Sequence, residues 1–319
     1  MRVVADVPIG DRIGGDTDAH LRTPCESFCS SSCRKGVNFH HGRVVSVLPA
    51  PRPARLVLPL LILPLLAAGA AAPADVNRVW SALANNRPQD VLRLLRRDAD
   101  SRAERLAWAA GRIGTQPSSD AAMREAEAVL AELEQGQDDV AAESAYVRAR
   151  IYQLHLNEPD FPKAAKLYTE LAGRQPHSHW AQLGLVKLGM LKLYLLPDSS
   201  GSAADRLAAA EALLPRIQEP LLRRDLDLQI GQAGIVLHQS LARFLPHLIA
   251  AERVGGITGT AAEDLIVQIG VLSERGGDWM RAREYFQRYL AQYPTNVRAF
   301  TIRRKLDEVN RRLAKEGGA

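Results

Sequence analysis

Two segments of the chain carry the same skeleton of small residue, aromatic residue and proline. The two motifs are Ala164-x3-Tyr168-x7-Pro176 and Ala282-x3-Phe286-x7-Pro294. In each motif the small residue allows a neighbouring helix to come close, the aromatic side chain fills the space between hairpins, and the proline stops the helix. This pattern is typical of the second helix of a helical hairpin. Because one hairpin cannot bury its own apolar face, two such motifs predict a stack of hairpins.

Helical periodicity dominates the chain from Asp75 onward. The apolar residues are mostly Ala, Leu, Val and Ile, only 5% of all residues are aromatic, and no alternating Val/Ile/Thr-rich run predicts a strand. Breaks rich in Pro, Gly, Ser and Asn divide the region into short helices. The predicted hairpins pair 75–85 with 88–98, 101–114 with 118–135, 139–156 with 160–174, 178–196 with 203–215, 219–239 with 241–253, and 260–275 with 278–292. A charged final helix, 295–315, is predicted to cap the stack.

Polar residues are placed to begin several of these helices. Capping boxes are predicted at Ser101-x-x-Glu104 and Thr260-x-x-Glu263, with a looser version at Ser202-x-x-Asp205. The other predicted N-cap residues are Asp139, Asp160, Asp278 and Thr295, because their side-chain oxygens can accept hydrogen bonds from free backbone amides. Pro246 is expected to interrupt the helix 241–253.

Through these motifs the chain resembles the tetratricopeptide repeat family, in an exported bacterial form. The family pattern is W-x2-L-G-x2-Y…A-x3-F…P over about 34 residues. The clearest repeats are about 145–178 and 263–296. The resemblance implies an all-α fold, an α-solenoid of about six antiparallel helix hairpins over 75–319 with a C-terminal capping helix. The positions that the pattern assigns to repeat packing are Ala164, Tyr168, Pro176, Trp180, Leu183, Gly184, Gly270, Ala282, Phe286 and Pro294.

The spacing of the two motifs departs from the family pattern. Ala164 and Ala282 lie 118 positions apart, which is not a multiple of the family repeat. The middle of the chain therefore contains insertions, or hairpins of another length. An irregular helical bundle with chance matches to the motif is the alternative.

The resemblance also implies a groove lined by the first helices of the hairpins, suited to an extended peptide or a partner helix. The groove-facing positions of the family correspond to Tyr146 and Gln153 in one repeat and to Asp264 and Glu274 in the other. Two other interpretations stay open: Tyr146 packs against the preceding hairpin, and the acidic side chains are merely solvated.

A targeting signal is predicted within residues 46–74. Pro51-Arg-Pro-Ala-Arg55 is basic, Leu56–Leu66 is apolar, and the small residues that follow offer a cleavage site before Asp75, with Ala68-Gly69-Ala70 as an alternative site before Ala71. This pattern is typical of a signal peptide, which predicts a periplasmic or secreted protein. An uncleaved inner-membrane anchor over 56–72 is the alternative.

Residues 1–45 lack apolar periodicity and precede the signal. A misplaced start codon would make them spurious, and a disordered extension is the alternative. All three cysteines of the chain, Cys25, Cys29 and Cys33, lie in this segment. Their spacing matches neither paired zinc ligands nor common iron–sulfur runs, so no metal is predicted.

The sequence carries no catalytic signature: phosphate-loop, zinc-protease and serine-hydrolase motifs are all missing. The chain has 41 Lys+Arg and 36 Asp+Glu, and the two signs are interleaved along the helices, which disfavours a nucleic-acid partner. His177 and His179 are interpreted as surface histidines because no further ligand lies at metal spacing. The chain is therefore predicted not to be an enzyme and to need no cofactor.

These features favour an exported, non-catalytic scaffold that binds a protein or peptide partner in the bacterial cell envelope. The identity of that partner and the oligomeric state do not follow from the sequence. Two alternatives stay open, a helical accessory domain of a cell-wall enzyme system and a membrane-anchored adaptor. The adaptor hypothesis requires that residues 1–45 exist in the native protein and that the anchor stays uncut.

Overall fold

A computed structural model describes residues 76–196 and 201–316, which belong to a unit spanning Gly69–Ala319. The predicted upstream segment 1–45 and signal 46–74 lie outside the described residues. Within the described part of the chain every regular element is helical, which confirms the all-α class there. The helices are α1 (Val76–Ala84), α2 (Pro88–Leu94), α3 (Arg102–Gly114), α4 (Asp120–Leu133), α5 (Asp139–Arg150), α6 (Phe161–Arg174), α7 (His179–Met190), α8 (Ala203–Glu211), α9 (Pro220–Val236), α10 (Leu241–Val254), α11 (Thr260–Arg275), α12 (Trp279–Gln292) and α13 (Ala299–Glu316).

Two of the helices end in a wider turn. A π-helical turn, Ile151–His155, continues α5, and a second, Leu191–Leu195, continues α7. A short 3-10 turn, Leu214–Arg216, follows α8. The two π turns begin 40 residues apart, so they occupy the same place in successive hairpins.

The helix starts agree with the sequence at some positions and not at others. Asp160 and Asp278 are N-caps and accept from the backbone N–H of Lys163 and Arg281. Of the three predicted capping boxes, the one at Ser202-x-x-Asp205 forms, because Ser202 and Asp205 exchange hydrogen bonds at the start of α8. The Ser101 box does not form, since no side-chain bond caps α3.

Four further expectations at helix starts and within helices are wrong. The N-cap of α5 is Asp138 rather than Asp139. Gly259 precedes α11, so Thr260 lies inside the helix, and Glu263 instead accepts a hydrogen bond from Asn296 Nδ2 at 2.7 Å. Thr295 caps nothing, because α13 begins at Ala299. Helix α10 runs through Pro246, since buried neighbours such as Leu248 hold the helix across the missing hydrogen bond.

The principal packing contacts join helices that are one or two places apart in the chain. Each helix packs against the next one. The odd-numbered helices also touch one another in sequence, α1 with α3, α3 with α5, α5 with α7, and α7 with α9. Gln232 and Gln268 link α9 to α11 through an amide hydrogen bond of 2.9 Å. The odd-numbered helices from α1 to α11 thus form a row of contacts in chain order.

The helices recur at a nearly constant spacing. From α5 onward the odd-numbered helices begin at Asp139, His179, Pro220, Thr260 and Ala299, at intervals of 40, 41, 40 and 39 residues. The 118 residues between Ala164 and Ala282 therefore span three hairpins of roughly 40 residues each. This spacing agrees with hairpins of another length, one of the two explanations given above.

The apolar core is divided along the chain rather than gathered in one place. Buried residues form four clusters within the described residues, spanning 79–107, 106–151, 142–233 and 244–309. This order follows directly from helices that pack mainly against their neighbours in sequence.

The residues assigned to repeat packing lie in these clusters or at helix ends. Ala164, Tyr168, Ala282 and Phe286 are fully buried, and Trp180 and Leu183 are partly buried against the same core as Tyr168. Pro176 and Pro294 are exposed, each two residues beyond the end of its helix, at Arg174 and Gln292.

Two glycines allow aromatic rings to approach closely. A Cβ at Gly270 would lie 2.6 Å from Cε1 of Phe286, and a Cβ at Gly184 would lie 3.2 Å from Cδ1 of Tyr168. The first contact joins the two helices of one hairpin, and the second joins α6 to the following helix α7. A side chain at Gly270 would therefore force the Phe286 ring to move, whereas one at Gly184 would require only a small shift of Tyr168.

Candidate functional site

The row of odd-numbered helices carries an acid–aromatic patch, defined by Asp139, Glu143, His179, Trp180 and Glu219. Asp139 and Glu143 lie one turn apart on α5, so they share one face of that helix. His179 and Trp180 begin α7, and Glu219 immediately precedes α9. The patch thus spans three successive odd-numbered helices near their N-terminal ends.

A buried amide fixes the α9 side of the patch. The Gln182 side chain is 3% exposed, and its Oε1 accepts hydrogen bonds from the backbone N–H of Gln218 at 2.7 Å and of Glu219 at 2.9 Å. This pair of bonds holds the chain where α9 begins against α7. The Glu219 carboxylate then lies 2.8 Å from His179 Nδ1.

Aromatic rings form the centre of the patch. The Trp180 ring lies 5.4 Å from the ring of Tyr146 and 5.5 Å from that of His179, the latter edge-on. Tyr146 in turn lies 5.9 Å from Tyr168 of α6. Trp180 is partly buried, so one part of its ring packs on the core while another part stays in contact with solvent.

Glu143 is the electrostatically unusual group of the patch. Burial raises the pKa of its carboxyl to about 7, the neighbouring Asp139 carboxylate adds to the rise, and His179 opposes it. Among the described residues Glu143 has no hydrogen bond and no ion pair. The patch therefore holds a half-buried acid that has no ion-pair partner among the described residues and whose negative charge His179 offsets only in part.

Two of the predicted groove residues lie inside the helix packing. Tyr146 is 7% exposed and covered by Tyr168 and Trp180. Gln153 is 1% exposed, because the π turn directs it inward, and its Oε1 accepts hydrogen bonds from the Tyr168 hydroxyl at 2.8 Å and from Arg150 at 3.1 Å. Both side chains are therefore buried between helices and do not face an open groove, contrary to the expectation from the sequence.

The other two predicted groove residues lie at the surface but already have partners. Asp264 forms an ion pair with Arg298, and Glu274 Oε2 lies 2.6 Å from Lys305 Nζ. The Glu274 bond joins α11 to α13, and the Asp264 bond joins α11 to Arg298, the residue just before α13. These acids hold the last helix in place, so changing them would disturb α13 as well as any partner.

The structure thus brings together a set of residues that the sequence analysis did not assign to binding. His179 was interpreted only as a surface histidine, and Trp180 only as a packing residue. Asp139, Glu143 and Tyr146 share one face of α5 at helical spacing, and that spacing is the signal that would have indicated Glu143. Its lack of a compensating cation depends on neighbouring helices and is invisible in the sequence.

A second group of charges links helices instead of forming a site. His247 Nδ1 on α10 lies 2.8 Å from the Asp227 carboxylate on α9, and Arg243 holds Glu211 of α8 at 3.1 Å. These pairs join three helices, and Asp227 is itself buried. Every charge in this network has a partner, so it is explained by packing.

Metal sites and membrane-spanning helices are both absent from residues 76–196 and 201–316. No group of three or more His, Cys, Asp or Glu side chains there is arranged to hold a metal ion. No helix in the same residues combines the length and the apolar character needed to cross a bilayer.

The chain was compared with models of protein families, with curated proteins and with solved structures, and none of the three comparisons found a match.

Proposed function

We propose that residues 75–319 form an α-solenoid of helical hairpins, similar to tetratricopeptide repeats, that binds a protein or peptide partner and has no catalytic role. The recurrence of odd-numbered helices at about 40 residues, their contacts in sequence order and the division of the core into successive clusters all support a repeat array. Helix α13 suits the role of a cap, because half of its side chains are charged and its outer face is exposed.

The observation that carries the binding proposal is the uncompensated acid Glu143 beside Trp180. A half-buried carboxylate is unfavourable until a donor or a cation reaches it, and aromatic side chains are enriched where proteins bind one another. Other acids along the same row, such as Asp264 and Glu274, already have partners. A partner that supplies a hydrogen-bond donor or a cation would therefore be stabilised most at the acid–aromatic patch.

For the cellular setting, we propose export through the signal at 46–74, followed by a role in the bacterial cell envelope. N-terminal sequencing of the native protein tests this part alone. A mature start at Asp75 or Ala71 supports export, whereas recovery of a peptide containing Cys25–Cys33 from the native protein contradicts both cleavage and a misplaced start codon.

Affinity capture from envelope extracts with matched variants tests the binding surface. Glu143→Lys reverses the charge in the patch, and Glu284→Lys makes the same change at an exposed position of α12. We expect the wild type and Glu284→Lys to recover the same protein, and Glu143→Lys to lose it. Circular dichroism checks that both variants fold, and Glu143→Gln, which keeps the shape of the side chain, serves if Glu143→Lys does not fold.

Equal recovery of the same protein by all folded variants would place the binding surface elsewhere. Recovery of nothing beyond background by the wild type would contradict the scaffold proposal itself.

A further inference from the structure

A cleft of about 540 Å³ lies between α4, the π turn that ends α5 and the loop that follows it. Its volume falls within the range of about 300–1,000 Å³ that is usual for small-molecule sites. It lies at the C-terminal end of α5, whereas the acid–aromatic patch lies at the N-terminal end. The cleft is therefore separate from the surface proposed above, and the inference drawn from it does not depend on that function.

The walls of the cleft are held in place by hydrogen bonds. The Tyr152 hydroxyl donates to Glu127 Oε1 at 3.1 Å, and Arg148 Nε donates to the same oxygen at 2.8 Å. Lys163 Nζ donates to the Tyr152 hydroxyl at 2.6 Å, and the backbone N–H of Asp160 donates to the Tyr152 carbonyl at 2.9 Å. These bonds tie the π turn to both neighbouring helices, so the cleft is formed before any ligand arrives.

The π turn explains why the cleft exists at this hairpin. A π-helical turn is wider than an α-helical one and displaces the side chains that follow it. The apolar floor contains Ile151, Met123 and Leu156; Ile151 and Met123 are almost fully buried, so the half-buried Leu156 provides its accessible surface. Methionine is flexible and polarizable, so the floor can adapt to an aliphatic chain.

The rim of the cleft is predominantly acidic. Three carboxylates line it, those of Asp120, Glu127 and Glu158, against the one guanidinium of Arg124. Glu127 is paired with Arg148. Among the described residues Asp120 and Glu158 have no ion pair, and Asp120 Oδ1 accepts only a long hydrogen bond, 3.5 Å, from the backbone N–H of Asn157, so no cation neutralises either charge.

We propose that this cleft binds an aliphatic cation, an alkylammonium or alkylguanidinium group, with its positive end between Asp120 and Glu158 and its hydrocarbon part on the floor. The shape of a lysine or arginine side chain matches this division, as does that of a free alkylamine. Tyr152, which lines the cleft, already contacts one ammonium group, because Lys163 Nζ lies 3.9 Å from the centre of its ring.

Methyl resonances of methionine provide a direct test in the full-length protein, which has only four methionines. The protein is labelled at its methionine methyl groups. It is titrated separately with n-pentylamine and with a short peptide whose one lysine is its only charged group, and n-hexanoate serves as the oppositely charged control. We expect the Met123 signal to shift with the cations and not with hexanoate. The Met190 and Met280 signals, which lie outside the cleft, should stay unchanged.

The two sources of the cation are distinguished by the two titrations. A shift of Met123 with pentylamine alone assigns the site to small amines, and a shift with both ligands assigns it to side chains on a peptide as well. Either result supports the cleft as a cation site. No Met123 shift with either ligand, or an equal shift with hexanoate, overturns the proposal.

Paired variants test the role of the rim. Asp120→Asn combined with Glu158→Gln removes both free carboxylates, and we expect the dissociation constant of pentylamine to rise about three- to tenfold. Asp307→Asn, at an exposed position of α13, is the matched control and should leave the constant unchanged. If Met123 shifts but the double variant binds as tightly as the control, the acids do not recognise the ligand and the cation assignment is wrong.

Discussion

Replacing Glu143 with glutamine should stabilise the protein at alkaline pH. Glutamine has nearly the shape of the protonated acid but cannot ionise. Because burial raises the pKa of Glu143 from 4.5 to about 7, the folded state favours the protonated form. The stabilisation that protonation contributes is fully present below pH 4.5 and is lost as the pH rises through about 7.

The size of the effect follows from that difference in pKa. A change from 4.5 to about 7 corresponds to about 3 kcal/mol of unfolding free energy, at about 1.4 kcal/mol for each pH unit. Glu143 is only half-buried, so solvent screening reduces the expected value to about 1–2 kcal/mol. Glu143→Gln should therefore raise the free energy of unfolding by this amount at pH 8, and by little at pH 5.

Urea unfolding followed by circular dichroism at pH 5, 6, 7 and 8 measures the difference between wild type and variant. Hydrogen exchange of peptides from α5 and α7 reports the same free energy locally, since repeat arrays can open in parts. Glu284→Gln, exposed on α12, is the control and should show no pH-dependent difference. A variant that is neutral or destabilised at pH 8, or that follows the control at every pH, would refute the burial of an uncompensated acid at this position.

Three further substitutions test the packing of the array, each by urea unfolding at constant pH. Gly270→Ala should destabilise the protein by about 1–3 kcal/mol, because its Cβ would lie 2.6 Å from the buried ring of Phe286. Gly173→Ala in α6, where no neighbouring side chain lies within 4 Å of the added methyl group, should instead stabilise the protein by about 0.5–1 kcal/mol. Equal effects of the two glycine substitutions would contradict the contact between α11 and Phe286. Gln182→Ala should cost about 1–3 kcal/mol, since two backbone N–H groups, including that of Glu219, lose their acceptor, and an unchanged stability would argue against this amide as the link between α7 and α9.

The sequence was sufficient to predict the helices. Prolines and glycines end them, and the boundaries follow these residues closely; the α6–α7 break at Pro176 and the α9 start at Pro220 are examples. The repeat length was not predictable from the motifs. Intervals of about 40 residues occur both after α5 and α7, which π turns continue, and after α9 and α11, which have none. Neither Ile151–His155 nor Leu191–Leu195 carries a residue pattern that predicts a π turn.

Side-chain environments were the least predictable part. Whether Gln153 faces inward depends on the π turn, and whether Asp264 is free depends on Arg298, which lies 34 residues away in the chain. The family pattern assigns positions from its own helix geometry, which differs here from α5 onward. The acid–aromatic patch depends on three helices at once, so local spacing indicates its α5 face but not its α7 and α9 members.

The central claim is that the odd-numbered helices form a row of successive hairpins, and distances between spin labels test it most directly. Labels are placed at three exposed positions, Asp139 on α5, Leu221 on α9 and Ala261 on α11, with the three native cysteines replaced by serine. Neighbouring helices in such a row are separated by about 10 Å per step. The account predicts that the 221–261 distance is shortest, the 139–221 distance intermediate and the 139–261 distance longest. A 139–261 distance equal to or shorter than the 139–221 distance would contradict the row and indicate a closed helical bundle.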